Sequence, residues 1–287
     1  MPLKLMYITN RPDVALIAEK NGVDRIFVDM EYIGKALRQK GTDSVLNHHT
    51  LEDVTAVRKV LTKSELLVRV NPIHEADPYG EGGGYTSSEE EINGAIECGA
   101  DIVMLPYFKT TEEVERFLNA VNGRARTMLL LETAEASKLV DDVAQMDGVD
   151  EIHIGLNDLS ISNQSKFMFE MLSNGTVERL CRHLKQSGKP YGFGGLASLG
   201  RGLVPAEMII KEHYRLGSTG AILSRSFCNV NHFVDLDAIE EVFYRGIREI
   251  RTLEKECEKR IRYFTENEKQ LKEAVKDVLE KLNEEKH

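Results

Sequence analysis

Short runs rich in valine, isoleucine and leucine recur through the first 226 residues, with amphipathic stretches between them. The runs are KLMYIT (4–9), RIFVDM (25–30), ELLVRV (65–70), DIVMLP (101–106), TMLLLE (127–132), EIHIG (151–155), PYGFGG (190–195) and AILSRS (221–226). Each is short and β-rich, and reads as a strand. In EIHIG, Ile152 and Ile154 alternate with polar neighbours, as in a half-buried strand. The stretches between the runs, such as TLEDVTAVRKVL, TTEEVERFLNAVNG and TVERLCRHLKQSG, carry helical patterns. Several open on Ser or Thr and close on Gly, the residues that cap helix ends. Strand and helix thus alternate eight times, which implies parallel strands joined by crossover helices. A closed barrel and an open doubly wound sheet both fit that order. Eight regular units within about 250 residues favour the barrel, and the first strand lacks the glycine-rich turn of a dinucleotide-binding sheet. The expected fold is α/β, a (β/α)8 TIM barrel.

The last segment has a different period. From about Asp235 the pattern predicts one continuous helix to near the C-terminus, with Gly246 its only weak point. Ile261, Phe264, Leu271, Val275, Val278 and Leu282 follow three- and four-residue steps, with Glu268 in the one polar slot. Such a seam either lies on its own barrel or forms a coiled coil, and association is the favoured reading. The predicted organisation is a catalytic barrel over 1–245 and a helical, coiled-coil-like extension over 246–287. A homo-oligomer, or a coiled-coil partner for the extension, is expected.

Composition narrows the function. The net charge of −10 argues against nucleic acid as a partner. No apolar run is long enough to span a bilayer, and MPLKLMYITN reads as a first strand rather than a signal peptide, so no membrane association is expected. Cys98, Cys181, Cys228 and Cys257 are far apart and without metal-site spacing, which fits reduced thiols in a cytoplasmic protein.

Active sites of (β/α)8 barrels lie at the C-terminal ends of the strands. The second run ends in Asp29 and Glu31, the third carries Arg69 and leads to Asn71, and the fifth ends at Glu132. The sixth leads to Asn157 and Asp158, and the eighth carries Ser224 and Arg225. Glu132 and Asp158 come from neighbouring strands, and two carboxylates at one mouth repel each other unless a cation or a proton lies between them. A hard divalent ion, Mg2+ or Mn2+, suits such a pair. The alternatives are general acid/base work and simple helix capping, for which Thr133 is a better candidate than Glu132.

LLLETAEA (129–136), HIGLNDLS (153–160) and LLVRVNP (66–72) resemble the HpcH/HpaI aldolase and citrate lyase family, within the phosphoenolpyruvate/pyruvate barrel superfamily; the likeness covers roughly residues 4–226. The type activity is 4-hydroxy-2-oxoheptanedioate aldolase. The resemblance implies that Glu132 and Asp158 bind a divalent metal and that Arg69 contacts a 2-oxo-acid substrate. It also implies that the backbone amides of Leu156 and Asn157 hold the substrate carboxylate. The implied reaction is a class II, metal-dependent aldolase or carbon–carbon lyase step through a pyruvate enolate. A Schiff-base route would want a buried lysine, and Lys109, three residues past the fourth run, is a poor candidate.

One position departs from the family. Its aldolases carry a histidine after the second strand, where FVDMEYIGK has Tyr32. Tyrosine is a poor base near neutrality. His48 and His49, in the following NHHT, are the candidates to replace it, and surface positions are their alternative. Residues 74–91, with the run GEGGG, read as a lid or as an insertion. In GFGGLASLGRG (192–202), Gly194 and Gly195, with Arg201, could bind an anionic group, or the small residues could simply let the barrel close. A Claisen-type acyl-CoA or citrate-lyase-like reaction, and an inactive scaffold acting through its tail, are the rival functions.

Overall fold

The computed structural model describes residues 1–38, 47–77, 85–230, 235–259 and 261–284. The strands close into a parallel barrel in sequence order. They are β1 (Lys4–Ile8), β2 (Arg25–Asp29), β3 (Glu65–Arg69), β4 (Ile102–Leu105), β5 (Arg126–Leu131), β6 (Glu151–Ile154), β7 (Tyr191–Leu196) and β8 (Gly220–Leu223). The helices are α1 (Pro12–Lys20), α2 (Lys35–Arg38), α3 (Leu51–Val60), α4 (Ser88–Glu97), α5 (Thr111–Val121) and α6 (Val140–Gln145), followed by α7 (Leu156–Ser162), α8 (Glu170–Ser173), α9 (Thr176–Ser187), α10 (Ala206–Leu216), α11 (Leu236–Lys259) and α12 (Phe264–Glu284). Thr50, Ser87 and Thr110 close reciprocal capping boxes at the starts of α3, α4 and α5, which places those helices as the sequence pattern does.

Alternate residues of a strand face opposite sides, and here both sides are buried. Odd-numbered positions of β2, Arg25, Phe27 and Asp29, share one face and point inward. The barrel interior is filled by Met6, Phe27, Leu67, Ile102, Met104, Met128 and Leu130, with Ile8 and Ile222 against them. Below this layer, at the N-terminal end, Arg25 pairs with Glu65 at 2.8 Å and Glu151 at 2.7 Å, closing the bottom with charge. The opposite faces of the strands meet the helices in the larger core. On β6, Ile152 and Ile154 face that helix layer, and His153 is buried inside the barrel instead of facing solvent. The half-buried reading of β6 is therefore corrected.

The C-terminal segment also departs from expectation. α11 packs on α1 and α10 as the helix that follows β8. The expected boundary at 245/246 falls inside α11. Gly246 is a close-packing position, where a Cβ would come within 2.7 Å of the Phe227 ring. A 3-10 turn at Ile261–Tyr263 interrupts the helix, and α12 folds back onto α8 and α10. Leu271, Val275 and Val278 are buried in the same chain. Asn267, also buried, donates to Glu212 Oε1 at 2.9 Å and to the Met208 carbonyl. Glu268, the polar slot, faces Arg215 at 3.8 Å. Leu271, Val275 and Val278 of the seam expected to make a coiled coil are thus covered within this chain, where α12 packs on α8 and α10. The four cysteines are free. Among the described residues, no helix is long and apolar enough to cross a membrane.

Candidate active site

The C-terminal ends of the strands surround a cavity of about 570 Å³, in the size range of small-molecule sites. Asp29, Arg69, Glu132, Leu156, Asn157, Asp158, Gly194 and Gly195 all line it, as does His49. Residues nominated from six separate segments therefore meet in one place.

Two electrostatic halves face each other. One is a closed network. Arg69 grips Asp29 with two hydrogen bonds, Nε to Oδ1 at 2.8 Å and Nη2 to Oδ2 at 2.7 Å. Lys35 Nζ lies 2.9 Å from Asp29 Oδ2 and 3.2 Å from Glu31 Oε2. Asn47 donates to Asp29, and Arg38 pairs with Glu31. Burial alone would raise the Asp29 carboxyl, but the Arg69 and Lys35 charges override it and hold it far below the usual carboxylate range.

The other half holds the acids Glu132 and Asp158. Glu132, at the end of β5, is 3% exposed, and Asp158, in the first turn of α7, is 5% exposed. Burial, then the charges of Glu31 and Asp158, push Glu132 well above its ordinary range, although Arg69 and Arg38 oppose the shift. The Tyr107 N–H donates to Glu132 Oε1 at 3.0 Å. Tyr107 adopts φ +50, a left-handed conformation that costs about 1–2 kcal/mol for a side chain of its kind, and its ring lies under Arg38 at 3.9 Å. Gly155 is required opposite Glu132, because a Cβ there would approach Oε2 to 2.7 Å and the Glu132 Cβ to 2.9 Å. The ladder of α7 starts with Leu159 N–H on the Gly155 carbonyl. The amides of 156–158 therefore lie outside it at the positive end of the helix.

The histidine candidates separate. His48 is exposed, 6.3 Å from the Tyr32 ring, and is not among the cavity-lining residues. Tyr32 is 37% exposed and also outside the lining. Burial and the nearby Glu91 raise its phenol further above neutrality, so a base at this position is disfavoured. His49 enters the cavity. Its Nδ1 accepts the Asp29 backbone N–H at 3.0 Å. That donor fixes the tautomer, because a ring accepting at Nδ1 carries its proton on Nε2 when neutral. Burial lowers its pKa against the pull of Asp29 and Asp53. The expectation of a base at His49 becomes a hydrogen-bond donor in this geometry.

Lys109 is exposed above the Tyr107 ring and outside the cavity lining. Arg201 is exposed and does not line the cavity. Gly194, at φ +52, lies where a Cβ would meet Leu156 at 2.6 Å, so close packing explains it without an anion. The glycine run of 74–91, residues 80–84, lies outside the described residues; beside it, His74 Nε2 lies 2.7 Å from the Thr86 carbonyl. Sequence reasoning missed Lys35, Asn47, Tyr107 and His153. Lys35 and Asn47 lie in a short helix and a loop with no periodic signal, and Tyr107 is placed by its backbone.

An eight-stranded barrel with a buried carboxylate pair and a fixed arginine at its C-terminal mouth is the architecture of an enzyme site. The HpcH/HpaI aldolase/citrate lyase profile matches residues 4–168, and the chain belongs to that family. A HpcH/HpaI aldolase/citrate lyase family protein from Burkholderia cenocepacia J2315 superposes with TM-score 0.59 at 16% identity, over 84% of this chain and 94% of that one. A HpcH/HpaI aldolase from Desulfitobacterium hafniense DCB-2 gives 0.55 at 14% identity, over 87% and 93%. The citrate synthase SbnG gives 0.55 at 17% identity, over 84% and 94%. At these identities the likeness shows the fold. No curated protein matches the chain in sequence.

Proposed function

We propose that the protein is a divalent-metal-dependent aldolase or carbon–carbon lyase that acts on a 2-oxo-acid through its enolate. The observation that carries this reading is the buried Glu132–Asp158 pair, set against the Arg69–Asp29 network, in a chain of this family.

The donor chemistry fits Mg2+ or Mn2+. Both ligands would be carboxylate oxygens, and a dication would offset the burial and the carboxylate repulsion that raise Glu132. Among the described residues no group of three or more His, Cys, Asp and Glu is arranged to hold a metal. Two protein ligands, with water and substrate completing the shell, is a common arrangement for Mg2+. Such an ion supplies Lewis-acid stabilisation of an enolate.

The protein's own groups do the rest. Arg69, locked by Asp29, holds positive charge where negative charge develops, and it needs no reorganisation to do so. The amides of Leu156 and Asn157, at the start of α7 on the cavity lining, would hold the substrate carboxylate. His49, on the cavity lining with its Nδ1 held by the Asp29 amide, would supply a donor at Nε2. The apolar floor of Ile8, Leu130 and Ile222 keeps bulk water from the reacting carbon. Lys35 is engaged by two carboxylates, which argues against a Schiff-base role.

The test is exchange of pyruvate methyl protons in deuterated water, followed by NMR, with metal-free protein and added Mg2+ or Mn2+. Metal-dependent exchange that is lost in Glu132→Ala and Asp158→Ala supports the reading. Full metal binding by both variants would remove the assigned site. Absent exchange beside intact metal binding would move the assignment toward a thioester substrate and Claisen chemistry.

A further inference from the structure

One wall of the cavity is built on short helices. Leu156, Asn157 and Asp158, at the start of α7, line it, and so does Met168, shortly before α8. α7 has seven residues and α8 four, too few for either to be stable as an isolated helix. Between them Gln164 adopts φ +58, a left-handed conformation that a residue with a Cβ keeps only when its surroundings impose it. This wall therefore depends on what packs against it.

Its ties run in two directions. Toward the strands, Ser162 Oγ accepts the Ala134 N–H at 2.8 Å, which joins the end of α7 to the chain just past Glu132. Within the wall, the Ser165 N–H donates to the Ser160 carbonyl at 2.9 Å. Glu170 Oε1 accepts the N–H groups of Lys166 and Phe167 at 2.7 and 2.8 Å. Phe167 and Phe169, which flank Met168 in the sequence, meet edge to face with ring centroids 5.4 Å apart. Toward the outside, α8 packs on α7, α9 and α12. α12 is anchored near its start on α10, where Asn267 donates to the Met208 carbonyl and to Glu212. Near its end, Asn283 Oδ1 accepts from Lys166 Nζ at 2.6 Å. The helix thus bridges from α10 to the segment that carries Met168 into the cavity.

We propose that α12 is a positioning element of the active site: docked on α8, it holds the wall from Leu156 to Met168, so that occupancy of the cavity and docking of α12 favour each other. The proposal rests on the reading of Asp158 as a metal ligand. Such coupling is reciprocal. With Asp158 fixed on an ion, α7 is held, and the seat of α12 on α8 is strengthened. With α12 released, α8 loses an outer support, and Asp158 and Met168 lose the geometry of the packed wall. Among the described residues none from α12 lines the cavity, so its effect on the site is indirect.

The full-length protein is titrated calorimetrically with Mn2+. Val278→Ala trims a buried side chain of α12, and Val14→Ala makes the same change in α1, which packs on α3 and α11. Both variants are expected to unfold at lower temperature. Only Val278→Ala is expected to bind Mn2+ more weakly, by at least about fivefold, the lower end of coupling between sites. Hydrogen exchange of the wild type gives a reading that does not depend on any variant folding. In α8 and α12, amides that exchange faster than those of the barrel strands open locally. Mn2+ is expected to slow these at least about fivefold and to leave locally opening amides of α1 unchanged. Equal Mn2+ affinity in the wild type and Val278→Ala overturns the proposal, as does exchange in α12 that is indifferent to Mn2+. An equal loss of affinity in Val14→Ala also overturns it, because the loss would then follow general destabilisation. A wild type that binds no Mn2+ overturns the metal reading of Asp158 itself, and this proposal with it.

Discussion

Arg69 and Asp29 form a bidentate pair at the mouth of the barrel, with both N···O distances under 3 Å. The guanidinium planned by the sequence for substrate is thereby already fixed in direction by its own protein. Asp29 is fully buried between Arg69 and Lys35. Removing the acid leaves two cations in a site with little water. Asp29→Asn is expected to cost about 3–5 kcal/mol of stability, the scale for breaking a buried ion pair, read by denaturant unfolding. Because the folded pKa of Asp29 is depressed, its stabilisation is present above the unfolded carboxyl pKa and is lost as pH falls through the folded value. The variant should therefore lose stability less steeply than the wild type on acidification.

Glu132 has the opposite sign. Its folded pKa is raised, by burial first and then by Glu31 and Asp158. Above the unfolded value of about 4.3 the unfolded chain sheds this proton while the folded chain keeps it. Its contribution to stability is therefore complete in acid and falls as pH rises through the folded pKa. In metal-free protein, the wild type should lose stability relative to Glu132→Gln as pH rises above the ordinary carboxylate range. Mg2+ should displace the proton. Calorimetry in buffers of different ionisation enthalpy is expected to show proton release on metal binding, and none in Glu132→Gln.

Gly155→Ala tests the cradle around Glu132. The new Cβ meets the Glu132 side chain at its root as well as at its tip, so a rotation of the carboxylate alone does not relieve the contact. Metal affinity is expected to fall at least about tenfold, read by calorimetry, an effect of the size produced when groups that orient metal ligands are lost. Unchanged affinity would place the ion elsewhere.

For His49, the backbone donor at Nδ1 fixes the outcome. Proton–nitrogen correlation NMR at neutral pH should show the Nε2–H tautomer. His49→Phe should lower kcat/KM about 10²-fold, the scale of losing one donor to a developing oxyanion. A neutral ring protonated on Nδ1 would return the general-base assignment to this residue.

The α12 stripe is a folding element of this chain. Leu271→Ala is expected to lower stability by about 2–5 kcal/mol, measured by thermal or denaturant unfolding. If the stripe instead served another subunit, the same change would alter mass in solution by sedimentation and leave monomer stability unaffected.

Local patterning carried much of this fold. Seven of the eight apolar runs mark their strands to within one residue and the eighth runs three residues past the end of β8, and Thr50, Ser87 and Thr110 mark helix starts, because strand period and cap chemistry are properties of a few adjacent residues. Glu132, Asp158 and Arg69 were legible for the same reason, as polar residues where buried strands end. Only the closed barrel decided the rest. Closure gives β6 a second buried face, so His153 lies inside the barrel, where a local reading placed it in solvent. It brings Lys35 and Asn47 onto Asp29, delivers the Tyr107 N–H to Glu132, and sets the tautomer of His49 through a backbone group distant in sequence. It also turns α12 back onto α8 and α10. A three-and-four spacing records that one face of a helix is buried, and the partner burying it is set by the path of the chain through space.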